Sequence, residues 1–199
     1  RRCGRDDRGS GVVLAGEGVL RVGWRYFGGK LLRGNRATKY SADGLIAFVS
    51  PNYPSLAGAG MSIKDNEAAL LPRQEGGLKL QTLDNIPIGV IKVFPGIQFS
   101  LFEAIMTEKL RGIVLETFGA GHIPGDGNAL MPILRKAFQN GSVLTVCSQC
   151  PQGAVSLGTY ETSSALKKAG AVSGLDMTTE AAVATPSYLL SCGYDKGKL

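Results

Sequence analysis

The sequence predicts an α/β fold whose C-terminal part is a small parallel sheet with helices on both faces. Three observations carry that expectation. From residue 86 onward, β-rich runs alternate with helical stretches in the order strand, helix, strand, helix, strand, helix. The strands are nearly continuous in apolar residues, as in a sheet buried on both sides, rather than alternating apolar with polar. Glycine, proline and capping residues mark most of the junctions.

Taken in order, residues 9–20 (GSGVVLAGEGVL) read as a short apolar helix broken at Gly16 and Gly18. Residues 21–27 form a poor strand, because Arg21 and Arg25 interrupt it. Buried without partners, two arginines would be expensive. That conflict points to a fault in the sequence or reading frame, or to a diverged start. Residues 26–54 (YFGGKLLRGNRATKYSADGLIAFVSPNYP) make a compact unit. Gly28 and Gly29 turn the chain, Lys30 to Leu32 form a strand, and Ser41 with Asp43 looks like the cap of a following helix. Arg33, Arg36 and Lys39 then lie on a tight loop between strand and helix, where α/β proteins present chemistry. Lys39 there is either a solvated surface charge or a sheltered amine that tunes a nucleophile. Residues 55–85 mix small, polar and turn residues, as a crossing segment or interdomain linker does.

The regular part begins with a strand at 88–94 (IGVIKVF), closed by Pro95 and Gly96. Phe99, Phe102, Ile105 and Met106 stand at helical spacing, which predicts a helix over 98–109. A second strand, 112–118 (GIVLETF), leads into a glycine-rich loop. A helix over 129–139 follows, with Pro132 near its start and Asn140-Gly141 at its end. Residues 142–150 form a third strand, 162–169 a third helix ending at Gly170, and 179–191 a last helix headed by Asp176 to Glu180. In a parallel sheet the strand C-termini share one edge, where ligands bind. Three loops meet there: Pro95 to Ile97, Gly119 to Pro124, and Ser148 to Gly153. The middle loop, GAGHIPGDG, does not fit the dinucleotide fingerprint GxGxxG, and no Lys-Ser/Thr pair follows it.

Length and composition bound the function. The chain has 199 residues, enough for one large or two modest domains, and 44% are hydrophobic. No run of about 18 apolar residues exists, so no membrane partner is expected. The chain has neither an initiator Met nor a leader, which suggests that it begins inside a longer protein. The net charge of +6 is local: residues 1–36 hold nine Lys/Arg against three Asp/Glu, and residues 37–199 hold thirteen of each. That stretch has no interleaved aromatics or binding motif, so no nucleic-acid partner is expected. Cys147 and Cys150 form a CxxC, but they close an apolar strand and precede Pro151, whereas a redox pair opens a helix. Cys3, Cys192 and His122 supply no second ligand pair at zinc spacing. No metal and no organic cofactor are expected.

Four segments, in order and at matching separations, resemble the type I, cytoplasmic-type L-asparaginase family: GKLLRGNRATKYSADGLIAFVSPNYP, VLETFGAGH, CSQCPQGAVSLGTY and AGAVSGLDMTTEAAVATPSYLL. The likeness runs from about residue 14 to about 190. It implies that residues 1–60 are the remnant of an incomplete N-terminal α/β catalytic domain, 61–85 a linker, and 86–199 the Rossmann-like C-terminal domain. The family's Thr-Gly-Gly-Thr and His-Gly-Thr-Asp-Thr motifs are absent and would precede residue 1.

The resemblance implies the site residues as well. Lys39 matches the catalytic lysine that helps deprotonate the second threonine, and a sheltered amine near other cations is suited to that task. His122 stands where the family has an asparagine reaching the neighbouring subunit's site, or else it is an exposed loop histidine. Ser148, Gln149 and Cys150 match a loop that binds asparagine as an effector in some bacterial members, with Glu116 in place of an effector-site arginine. An acidic group there would repel the effector's carboxylate. The implied function is hydrolysis of L-asparagine to L-aspartate and ammonia by a cytoplasmic homodimer or tetramer, the present chain alone being inactive. The alternatives are an asparaginase-like subunit of a glutamyl-tRNA amidotransferase and a non-catalytic dimerisation or effector-binding module.

Overall fold

A computed structural model describes residues 23–72, 81–124, 129–159 and 161–196. The chain divides into two compact units, Arg1–Lys79 and Leu80–Leu199.

In the first unit, β1 (Trp24–Phe27) and β2 (Lys30–Arg33) pair antiparallel across a two-residue turn. Gly28 and Gly29 have φ of +55° and +76°. Two successive left-handed residues are what a type I′ hairpin turn demands, and glycine adopts them without a Cβ penalty. Arg33 is followed by one turn of 3-10 helix, Gly34–Arg36, and the ribbon of β3 (Thr38–Lys39) with β4 (Phe48–Val49). β5 (Ala57–Ala59) pairs with β2 and β6 (Ile63–Asp65) with β5, giving an antiparallel sheet in the order β1-β2-β5-β6. Trp24, Leu56 and Ala69 form its core, with Leu31, Tyr53 and Leu70 packed against them.

Several expectations change here. No helix starts at Ser41: its hydroxyl accepts from the backbone N–H of Gly44 at 2.8 Å, and the chain turns back into β4. A hydroxyl accepting from a nearby N–H marks a turn as well as a helix cap, and the residues C-terminal to it decide which one forms. The basic loop therefore joins a strand to a ribbon. Arg25 is half-buried but not stranded, because its guanidinium lies over the Phe48 ring, 3.7 Å from the centroid. Cation–π attraction offsets part of the desolvation that the sequence made to look prohibitive. Ile63–Asp65 and the 3-10 turn Glu67–Ala69, inside the segment read as a linker, are ordered parts of this unit. The helix expected at 9–20 and the arginine at 21 lie outside the described residues.

The second unit is the expected parallel sheet. β7 (Ile88–Lys92), β8 (Gly112–Thr117), β9 (Val143–Ser148) and β10 (Val172–Ser173) lie in the order β10-β9-β8-β7, every pair parallel. Alternate residues of the strands serve opposite faces. Ile91, Ile113, Leu115, Leu144 and Val146 join one core with α1 (Leu130–Gln139) and α2 (Glu161–Lys168), through Leu134, Ala137 and Leu166. On the other face, Val114 and Cys147 meet Ala182 of α3 (Thr179–Ser191). Leu134 is essentially fully buried, so truncating it to alanine should cost about 2–5 kcal/mol.

Helices α1 and α2 end alike. Ser142 N–H bonds the Ala137 carbonyl and Gly141 N–H that of Phe138, while Ala171 and Gly170 repeat the pattern onto Leu166 and Lys167. Gly141 and Gly170 take φ of +96° and +92°. Both are Schellman endings, in which a left-handed glycine lets orphan carbonyls find donors. α3 begins with Thr178 accepting from Ala181 N–H and runs through the buried Pro186. Two differences from expectation remain. The predicted helix at 98–109 is the 3-10 helix Phe99–Ile105, in which the spacing of Phe99, Phe102 and Ile105 matches three residues per turn. β10, a fourth strand, is not signalled by the sequence pattern.

Candidate functional site

The strand C-termini of the second unit converge as expected, and one side chain ties them together. Gln149, just past β9, donates through Nε2 to the carbonyls of Val93 at 2.6 Å and Glu116 at 2.9 Å. Its backbone N–H reaches the Thr117 carbonyl at 2.9 Å. The ends of β7 and β8 are thus held from the loop after β9. Beside it, Ser148 Oγ accepts from the backbone N–H of Cys150, whose side chain is exposed. Under them, Thr117 is buried and satisfied, donating to the Cys147 carbonyl at 3.1 Å.

The loop after β8 is pinned in the same way. Phe118 and His122 exchange both backbone hydrogen bonds at 2.8 Å, so His122 sits at the foot of a tight loop whose glycines, Gly119 and Gly121, have positive φ. Ser156 N–H bonds the Ala120 carbonyl, joining this loop to the one after β9. Loops so constrained hold a side chain in one place at little further entropic cost.

On the α3 face, a polar cluster occupies the end of β8. The Thr179 hydroxyl donates to Oε1 of Glu116, and Lys92 Nζ stands 3.8 Å from the other carboxylate oxygen. The Glu116 side chain is 13% exposed. Burial pushes the Cys147 thiol from its ordinary 9.0 up to about 11, with Thr179 opposing the rise and Glu116 adding to it. A thiol held protonated is a poor nucleophile and a poor metal ligand. No group of three or more His, Cys, Asp or Glu able to hold a metal occurs among the described residues. The Glu116–Thr179 contact is not legible in the sequence, because nothing in the spacing of two residues so far apart signals it.

Lys39 belongs to the first unit. It pairs with Phe48 across the β3–β4 ribbon, and its side chain is exposed. The loop before it is anchored by Tyr53: Arg33 and Arg36 both lie over that ring, 4.8 and 5.5 Å from its centroid, while the Tyr53 hydroxyl donates to Ala69. Ser148, Gln149, Cys150 and His122 therefore share the sheet edge of the second unit, and Lys39 is placed by a separate framework.

Residues 87–199 match the Glutaminase/Asparaginase C-terminal domain family. The chain belongs to the glutaminase/asparaginase family. Within it, this asparaginase-family chain is 37% identical over 166 residues to L-asparaginase 1 of Escherichia coli K12, covering 83% of the chain and 49% of that protein. It is 38% identical over 189 residues to the human protein called 60 kDa lysophospholipase, covering 94% of the chain and 32% of the relative. The crystal structure of L-asparaginase I from Vibrio cholerae matches with a TM-score of 0.79 at 37% identity, over 86% of the chain and 52% of that structure. The chain thus spans about half the length, or less, of the relatives it matches. The fold and the type I resemblance read from the sequence agree with these likenesses. No described helix is long and apolar enough to cross a membrane.

Proposed function

We propose that the chain supplies the C-terminal half of an L-asparaginase, which hydrolyses L-asparagine to L-aspartate and ammonia. The extent of the likeness carries this reading. A match of 166 residues is longer than the whole second unit, 80–199, so it takes in the first unit as well. The first unit holds Lys39, whose task in this reading is to take the proton from a threonine hydroxyl supplied by the rest of the protein. That task needs an amine sheltered from water, and the ribbon alone leaves Lys39 exposed. The amine therefore works only in the whole protein, and the chain by itself is inactive.

His122, on its pinned loop, contacts substrate in the neighbouring subunit of a homodimer or tetramer. Ser148, Gln149 and Cys150 form the effector-loop positions. Two features oppose asparagine as the effector: the Gln149 amide N–H groups are engaged by the Val93 and Glu116 carbonyls, and the Glu116 carboxylate, near the end of β8, would repel the effector's own carboxylate. A cytoplasmic setting accords with the cysteines among the described residues, Cys147, Cys150 and Cys192, which are free. The deciding experiment measures ammonia release from L-asparagine and from L-glutamine by the whole protein and its Lys39→Met variant. Loss of about 100-fold or more in kcat is expected for the variant. Undiminished turnover, or turnover by the 199-residue chain alone, would refute the proposal. A preference for L-glutamine would favour the amidotransferase-subunit alternative.

A further inference from the structure

Helix α3 crosses the sheet face that carries Val114 and Cys147, and the sheet ends at β10, only two residues long. Residues 182, 185, 186 and 189 of α3 share one side of the helix by their i, i+3, i+4, i+7 spacing. Opposite them stand Val143 and Thr145 of β9 and Val172 of β10. So short a strand does not fill the space under the helix. Gly174, which follows it, has no side chain to offer, and a Cβ there would lie 3.0 Å from the Val146 carbonyl oxygen. What remains is a groove of about 180 Å³, open beside Val172, which is 40% exposed.

Two properties of the lining select an occupant. None of the residues around the groove is charged. An ionised ligand would therefore lose its hydration without gaining a counter-charge. Thr145, in contrast, is only 7% exposed, and its hydroxyl has no hydrogen-bond partner among the described residues. Ser173 is not similarly available: it donates to the Val155 carbonyl at 2.7 Å and accepts from Leu175 N–H at 2.9 Å. The Thr145 hydroxyl is not sealed off, so it is open to the groove, where a polar ligand atom can bond it in place of water. We infer that this groove binds a compact, uncharged, mainly apolar molecule bearing one hydrogen-bonding group, which the Thr145 hydroxyl meets. The site belongs wholly to the second unit and does not depend on the hydrolytic reading.

Phenol, toluene and benzylammonium, close in shape, separate the terms. The full chain is titrated with each while the ¹³C-methyl shifts of Met177 and Leu189 are followed. Phenol should give saturable shifts confined to the groove, toluene should bind about five-fold more weakly for want of the hydrogen bond, and benzylammonium should not saturate. Thr145→Val keeps the volume and removes the hydroxyl, so it should weaken phenol about five-fold and leave toluene unchanged or tighter. Val172→Trp, at an exposed position, should obstruct entry and abolish both. Phenol shifts that fail to saturate, or phenol affinity indifferent to Thr145→Val, would overturn the inference. So would the same methyl shifts arising from protein concentration alone, since a second copy would then be covering the groove.

Discussion

The Thr179 hydroxyl donates a hydrogen bond to the Glu116 carboxylate, joining the first turn of α3 to the end of β8 across 63 residues of sequence. The same hydroxyl lies 4.0 Å from Cys147 Sγ. One threonine thus stands between a carboxylate and a thiol, and the ionisation of that thiol bears on the stability of the fold.

Cys147 gives a pH-dependent contribution with a definite sign. Its folded pKa, about 11, lies above the ordinary 9.0, chiefly because of burial. Between those values the folded state keeps a proton that the unfolded state has lost. The stabilisation is therefore fully present below pH 9 and is lost as pH rises through 11, by at most about 3 kcal/mol in all. Urea unfolding of wild type and Cys147→Ala at pH 8.5 and 10.5, with reductant, isolates the effect. The variant is weaker at both values because of its cavity, but its fall between them should be smaller than that of wild type. Equal falls would show that the thiol does not couple to folding.

Gln149 holds the sheet edge with two donated bonds from one nitrogen. Gln149→Leu keeps the bulk but takes the donor from the Val93 carbonyl and leaves the Glu116 carbonyl only the Val93 N–H, which should cost about 1–3 kcal/mol. Gln149→Glu should be worse, since a carboxylate donates nothing and faces two carbonyl oxygens. Denaturant midpoints at constant m-value test the order, and a Gln149→Leu variant as stable as wild type would discard it.

Gly141 and Gly170 make a matched pair. Both end helices with left-handed φ, so alanine at either should cost about 1–2 kcal/mol in backbone strain. They differ in surroundings: a Cβ at Gly141 meets nothing within 4 Å, while one at Gly170 comes within 2.6 Å of the Phe138 ring. Gly170→Ala should thus be clearly the more damaging, and Phe138→Leu should recover part of its excess. Thermal unfolding of the three variants reads this directly, and equal costs for the two glycines would contradict the close contact.

Local periodicity is enough to place β8, α1 and α3 to within about a residue, because burial on one stripe or both faces writes itself into the order of the side chains. The turn at Gly28-Gly29 and the endings at Gly141 and Gly170 are equally plain, since only glycine takes those angles freely. The loop at Ser148–Cys150 can be assigned to the sheet edge because an apolar run stops there. β10 is invisible to pattern because two residues carry no period, and Val172 and Ser173 become a strand only through β9. Ser41 misleads because a hydroxyl accepting from a nearby N–H opens a turn as readily as a helix. Arg25 looks misplaced by its charge alone, although the Phe48 ring that receives it comes from β4. The Glu116–Thr179 bond, the triple hold of Gln149 and the unpaired Thr145 hydroxyl arise only when distant strands and a helix are packed together. Sequence order therefore settled where the longer strands and helices of the second unit lie, a matter of neighbours along the chain. Tertiary packing settled which polar groups meet, because that depends on distances no linear spacing encodes.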